Sequence, residues 1–348
     1  MAPTTSDSPH HGTARPLTPP AVPFFCPGGG FLIIFLYFCR LEQVFPYGIP
    51  LPDRKPQRTM ATIDKNDSSD KRPTVALIYD FDGTLAPGNM QEYDFIPAVG
   101  KSNKEFWSEA NSLAEKQDAD PVLAYMARMI QEAQSTGLSL RREAFQESGR
   151  SIRYYAGVEA WFARMNRYAE EQDLRLLHYI NSSGLREIIE GTSIAHEFKH
   201  IYACSFLYNV DGIAYWPAVA VNYTNKTQFI FKINKGVESV YDTQMVNRYM
   251  VEDKRPVPFK RMIYVGDGTT DIPCMKLVKN YGGHSIAVYN PEDRNKRREM
   301  ATLIRDNRVN YVCEADYTEG SEMDTVVKTI IDKIAVDSRL EQLQTTKI

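Results

Sequence analysis

The sequence predicts an α/β fold, a parallel sheet core flanked by helices with an inserted all-helical cap. Two observations carry this. Three short, nearly continuous apolar runs each stop at a polar residue beside glycine. Thr74-Val75-Ala76-Leu77-Ile78-Tyr79 runs into Asp80-Phe81-Asp82-Gly83-Thr84, and Leu174-Arg175-Leu176-Leu177-His178-Tyr179-Ile180 into Asn181-Ser182-Ser183-Gly184. Arg261-Met262-Ile263-Tyr264-Val265 runs into Gly266-Asp267-Gly268-Thr269-Thr270-Asp271. Such runs suit strands buried on both faces, as in parallel sheets covered by helices. In addition, roughly ninety residues of helical texture separate the first run from the second, more than one crossover needs.

Beyond the first run, helical spacing over 103–117, 121–134, 140–147 and 158–171 predicts four helices, with Asp120 as an N-cap ahead of Pro121 at the first helical position. These form the expected helical cap, residues 89–172, lying over the carboxyl edge of the sheet. The core is assigned to 73–88 and 173–336, and residues 337–348 to a C-terminal tail. After Ser182 a helix over 185–190 leads to a small β excursion, 201–208 and 213–215, around the turn Asn209-Val210-Asp211-Gly212. Strands over 285–288 and 309–313 and a helix over 323–335 complete the pattern.

Composition bounds the function. The chain has 348 residues, 43% hydrophobic and 24% charged, with 41 Lys and Arg against 44 Asp and Glu. This is globular material. No run of about 18 apolar residues exists, which excludes a polytopic membrane protein. A net charge of −3 does not supply the positive field that a nucleic-acid backbone requires. The five cysteines (26, 39, 204, 274 and 313) form no C-x-x-C pair, so reduced thiols in a cytoplasmic protein are expected.

Residues 1–72 differ in texture. Eleven of the 20 prolines fall in the first 58 residues, and such sequence buries too little apolar area to offset its ordering entropy. A disordered Pro-rich extension is expected there. Its apolar stretch, residues 31–39, is too short to span a bilayer, and an unstructured stretch is favoured over membrane association. Met60 opens a polar leader into the first strand, which suggests translation from Met60 and a dispensable segment 1–59. Without residues 1–72 the balance becomes 33 Lys and Arg against 38 Asp and Glu, so the acidity belongs to the folded part.

The chemistry converges on the strand ends, where ligands bind in such sheets. Asp80 and Asp82 stand two apart where a strand ends. Paired carboxylates hold a divalent cation or divide into nucleophile and proton donor. Asp267 and Asp271 would add oxygen ligands to the same cation, and ligands without His or Cys favour magnesium over zinc. Ser182, at a helix start, suits an anion, and phosphate is the anion that meets magnesium there.

D-x-D-G-T, a strand-terminal Ser, a Lys and G-D-G-x-x-D in this order resemble the haloacid dehalogenase-like hydrolase superfamily. The chain looks most like its phosphoserine-phosphatase-type branch, over about residues 73 to 335. The resemblance implies a Rossmann-like core and a role for each motif residue. Asp80 matches the nucleophile that becomes an aspartyl-phosphate, and Asp82 the general acid and base. Ser182 matches the phosphate-gripping hydroxyl. Lys235, followed by Gly236, matches the phosphate-binding lysine, with Lys226 and Lys232 as nearby alternatives. Asp267 matches the magnesium ligand, joined by the Asp80 side chain and the Asp82 carbonyl, and Asp271 steadies the lysine and the metal's waters. The second Asp separates phosphatases and sugar-phosphate mutases from the haloalkane-attacking members.

The expected activity is therefore magnesium-dependent hydrolysis of a small phosphorylated metabolite through an aspartyl-phosphate, with phosphotransfer on the same core as the alternative. Ser183, where the branch commonly has Gly, and Thr269-Thr270, where it commonly has Ala-Asn, put phosphoserine in doubt as substrate. Arg128, Arg141, Arg142 and Glu92 are candidate cap contacts, each more readily read as a solvated surface charge. Two other patterns compete. His196-Glu197-Phe198-Lys199-His200 fits H-E-x-x-H, a zinc-peptidase motif when it lies on a helix, but strand-like sequence comes directly after it. D-x-D also occurs in glycosyltransferases, a reading that leaves 266–271 unexplained. The basic cluster Arg294, Lys296, Arg297 and Arg298 reads as a solvated helix face.

Overall fold

The carboxyl ends of three neighbouring strands set the plan of the molecule. In the computed structural model, residues 70–345 are described. The apolar stretch 31–39, the Met60 start and nearly all of the Pro-rich extension lie outside the described residues. The strands are β1 (Thr74–Tyr79), β2 (Arg175–Leu185), β3 (Phe198–Tyr208), β4 (Ala214–Val219), β5 (Met262–Gly266), β6 (His284–Tyr289) and β7 (Tyr311–Glu314). They form one sheet in the order β4-β3-β2-β1-β5-β6-β7. Every neighbouring pair is parallel except β3 with β4.

β1 is central, and Val75 to Tyr79 are fully buried, as a continuous apolar run requires. Tyr79 is level with Ile180 of β2 and with Val265 of β5. Asp80, Asn181 and Gly266 therefore emerge in one row. The chain leaves β1 toward β2 on one side and returns to β5 on the other, which opens a crevice beyond the carboxyl ends where the strand order reverses.

After β1 come α1 (Phe95–Ala98), α2 (Asn103–Gln117), α3 (Pro121–Thr136), α4 (Arg142–Gly149) and α5 (Val158–Glu171). Ser102 and Glu105 form a capping box at the start of α2. Asp120 accepts from the Val122 and Leu123 N–H groups at the start of α3, and Gly137 closes that helix in the left-handed region. α5 packs against β1 and β2 at the centre of the sheet. Trp161 Nε1 donates to Tyr79 Oη over 2.8 Å, and Phe162 meets His178 edge-on at 5.1 Å. It is the helix that leads directly into β2.

The remaining helices are α6 (Arg186–Glu190), α7 (Lys226–Lys235), α8 (Thr243–Asn247), α9 (Ile272–Asn280), α10 (Arg294–Arg305) and α11 (Glu322–Thr345). α11 runs through most of the expected tail. Glu341 on its last turns pairs with Lys260 at 2.7 Å and Arg261 at 3.0 Å. The expected β excursion is also larger than the sequence suggested. β3 continues the main parallel sheet and only β4 turns back along it.

The insertion is fastened to this edge of the sheet. Ala214 N–H donates to the Leu140 carbonyl at 2.9 Å, Arg141 Nη1 to the Asp211 carbonyl at 2.7 Å, and Asn222 Nδ2 to Asp120 Oδ2 at 2.7 Å.

His178 shows how α5 is held. Its Nδ1 lies 3.0 Å from Tyr79 Oη and its Nε2 3.0 Å from Asn166 Oδ1. With Trp161 donating to Tyr79, the neutral ring completes the chain by accepting at Nδ1 and donating at Nε2. Burial pushes its pKa down from 6.5 to about 3. The unfolded chain then binds the extra proton between those values, so this contribution is whole above about pH 6.5 and lost as pH falls toward 3. Urea unfolding at pH 7.5 and pH 5 should differ by about 2 kcal/mol on this account. His178→Gln should lose that share of the difference; an unchanged difference would show that the ring is not held neutral.

Candidate active site

Asp80 is delivered at the end of β1. Its Oδ1 accepts the Phe81 N–H at 2.7 Å and its Oδ2 lies 2.9 Å from Lys226 Nζ. Lys226, the first residue of α7, is fully buried, and its ammonium also lies 2.7 Å from Asp271 Oδ1. Asn181, within β2, donates its Nδ2 to the Lys226 carbonyl at 3.1 Å and so fixes the backbone that carries the ammonium. Asp271 precedes α9. Tyr264 Oη donates to its Oδ1 at 2.6 Å and the Gly268 N–H to its Oδ2 at 3.2 Å.

Asp82 turns toward the insertion, where its Oδ1 accepts the Met90 N–H at 2.8 Å. Gly83, in the first motif, has φ 71°, a conformation that side chains rarely adopt, and a Cβ there would fall on the Asp267 carboxylate. Ser182 is buried, and its Oγ accepts the Gly184 N–H at 3.0 Å. The neighbouring Ser183 Oγ is buried without a partner among the described residues.

The electrostatics are those of surplus negative charge. Carboxylate oxygens of Asp80, Asp267 and Asp271 lie within 4.8 Å of one another. Lys226 is the ammonium set among them. Burial pulls its pKa down, but Asp271 and Asp80 outweigh burial and hold it protonated. Burial, then Asp80 and Asp271, push Asp267 up to about 8. Asp82 is raised well above the carboxylate range, first by burial and then by the Asp80 charge. These groups face a cavity of about 520 Å³, with Asp80, Asp82, Ser182 and Asp267 in its lining and Asp271 behind them.

A sequence model described as haloacid dehalogenase-like hydrolase matches residues 77–276, more than half of the chain. The chain belongs to the haloacid dehalogenase-like hydrolase family. The haloacid dehalogenase-like match spans β1 to α9 and thus every residue of the cluster. An uncharacterized protein of Borreliella burgdorferi is 29% identical over 286 residues, covering 73% of this chain and 95% of that protein. Among solved structures, a HAD family hydrolase from Salmonella enterica serovar Typhi aligns with TM-score 0.48 and 12% identity, over 75% of this chain and 72% of that one. A phosphoserine phosphatase, solved as a phospho-aspartyl intermediate analogue, aligns with TM-score 0.45 and 13% identity, over 74% and 99%.

Within this haloacid dehalogenase-like chain Asp80, Asp82, Ser182 and Asp267 line one cavity, and Asp271 stands behind them against Lys226. Lys235 is a correction. Gly236 after it adopts φ 68° and caps the C-terminus of α7, so the Lys-Gly pair ends the helix rather than opening one. Lys235 Nζ donates to the Val246 and Arg248 carbonyls at 2.6 and 2.8 Å, and Lys232 Nζ to those of Ser239 and Asp242 at 2.9 and 3.0 Å. Lys226, at the other end of the helix, holds the central position. The signal that marks it is Asn222-x-x-Asn225. Asn222 Oδ1 accepts the Thr224 and Asn225 N–H groups, which opens the helix at Lys226.

The candidate cap contacts are engaged elsewhere. Arg128 pairs with Glu109 and Glu132, Arg141 serves the Asp211 carbonyl, and Arg142 lies over the Tyr208 ring beside Glu187. Glu92 accepts from Asn89 Nδ2 and Trp107 Nε1 at 2.6 and 2.7 Å.

The H-E-x-x-H motif lacks the helix it needs. His196 is exposed in a 3-10 turn, while His200 sits in β3 against Tyr202. No helix among the described residues is long and apolar enough to cross a membrane.

Proposed function

We propose that the chain is a magnesium-dependent phosphatase that hydrolyses a small phosphorylated metabolite through an aspartyl-phosphate on Asp80. The observation that carries this reading is the buried Lys226 ammonium pinned between Asp80 and Asp271, with Asp82 on the same cavity and raised in pKa by burial and by the Asp80 charge. Lys226 holds Asp80 in place and offsets the repulsion between its carboxylate and an incoming phosphate dianion. An Asp80 oxygen attacks phosphorus as the ester P–O bond breaks, and Asp82 gives its proton to the departing alkoxide. Asp82 then takes a proton from water as that water attacks the acyl phosphate. Inorganic phosphate leaves and Asp80 is restored. Ser182 supplies a hydroxyl for the phosphate oxygens.

The donor set fits a hard divalent cation. It is all oxygen, and three carboxylates face one ammonium. Both Asp271 oxygens are engaged by Lys226, Tyr264 and Gly268, so Asp80 and Asp267 would hold the ion, together with the Asp82 carbonyl, while Asp271 stays with the lysine. The ion supplies neutralisation of the phosphate oxygens. The buried thiols Cys204, Cys274 and Cys313 agree with a reducing, cytoplasmic setting.

Hydrolysis of p-nitrophenyl phosphate tests the reading. Chelation with EDTA should lower the rate at least about a hundredfold, and excess magnesium should restore it. Activity that needs zinc instead, and that survives Asp80→Asn, contradicts the proposal.

A further inference from the structure

The far wall of the cavity bears on which phosphate ester enters. Its residues from the insertion and its connecting segments are Gly88, Asn89, Gln91, Trp107, Tyr125 and Tyr155, and none is charged. The cation in the lining, Lys296, comes from α10 on the other side, where it lies 3.5 Å from Glu299 and shares the rim with Asp293. A leaving group that carries a carboxylate would meet no counter-charge on this wall.

Gln91 is the second observation. It is 2% exposed, lines the cavity, and its Oε1 is buried without a partner among the described residues. A buried amide left unpaired destabilises the fold unless a ligand or water satisfies it. Tyr155, half-buried on the same wall, likewise has no partner for its hydroxyl among the described residues. The two other aromatic residues are fixed in place. Trp107 donates to Glu92, Tyr125 Oη donates to the Ser183 carbonyl at 2.7 Å, and their rings meet edge to face at 5.8 Å. The wall thus offers the Tyr155 phenol, with the Gln91 amide just beneath the surface, to pair with hydroxyls, between rigid ring surfaces that suit C–H groups.

We infer that Gln91 is a specificity-determining residue and that the leaving group is a neutral polyhydroxy alcohol, so that the substrate is a sugar or polyol monophosphate. This rests on the phosphatase reading above. A phosphorylated amino acid is disfavoured because its carboxylate finds no cation on the wall. A heteroaromatic alcohol would leave several of the polar groups unpaired.

The test measures kcat/KM of the wild type for ribose 5-phosphate, sorbitol 6-phosphate, phosphoserine, pyridoxal 5-phosphate and p-nitrophenyl phosphate. The better of the first two should exceed phosphoserine and pyridoxal 5-phosphate by about tenfold or more. Gln91→Met, which keeps the volume, should lower the ratio of sugar or polyol phosphate to p-nitrophenyl phosphate by about tenfold or more, chiefly through KM. Preference for phosphoserine or the pyridoxal ester overturns the inference, as does an unchanged ratio in Gln91→Met. Should that variant not fold, the wild-type ranking decides by itself. Absence of hydrolysis of every ester, p-nitrophenyl phosphate included, would instead bring down the phosphatase reading on which the inference stands.

Discussion

Asp80→Asn should lower kcat for p-nitrophenyl phosphate by at least about 10³-fold, because an amide cannot form the acyl phosphate. The same substitution removes one of three carboxylates crowded around one ammonium. Thermal stability should therefore hold or rise, as is common where a site is arranged for function at the expense of the fold. Paired measurements of turnover and melting temperature separate loss of the nucleophile from loss of structure. Acid-quenched wild type should in addition carry phosphate that hydroxylamine releases, and Asp80→Asn should carry none. Retained turnover in the variant would remove Asp80 from the reaction.

The second large effect distinguishes two lysines on one helix. Lys226→Met should lower kcat/KM by about 10³-fold, since the nucleophile loses the charge beside it. It should also destabilise the chain by about 3–5 kcal/mol, because Asp80 and Asp271 are left buried without their partner. Lys235→Met should leave kcat/KM within about twofold and cost about 1 kcal/mol for the carbonyls it serves. Kinetics and urea unfolding of the two variants side by side check the assignment. Equal losses of activity would show that the position of Lys226 between the carboxylates is incidental.

The strand ends are legible in the sequence because a parallel strand buried on both faces leaves a continuous apolar signature, and topology exposes the residues just beyond it. Asp80, Ser182 and Asp267 can be placed together from the sequence for this reason. Lys226 is harder to see. Its helix is amphipathic through Phe229, Ile230 and Ile233, and a glycine after a lysine reads equally well as an opening or a close until the helix direction is known. The left-handed Gly236 decides it. The place of α5 is hidden for a related reason. Helical spacing records that one face is buried but not whether it lies on the sheet or on another helix, and Trp161 reaches Tyr79 from 82 residues away in the chain. Gln91 carries no signal at all, because an unpaired amide is a property of its surroundings and not of the residue.

The fastenings between the insertion and the β3–β4 edge have a consequence for traffic through the site. With Leu140 and Arg141 bound to the hairpin and Asp120 to Asn222, that flank is held by contacts just ahead of α3 and α4. On the other side of β1 the rim is made by Asn290, Asp293 and Lys296, just past the end of β6, and it faces the insertion across the cavity. On the phosphatase reading proposed above, substitutions at Asn290, Asp293 and Lys296 should act on the rates of substrate arrival and product release and leave the chemical step to Asp80 and Asp82.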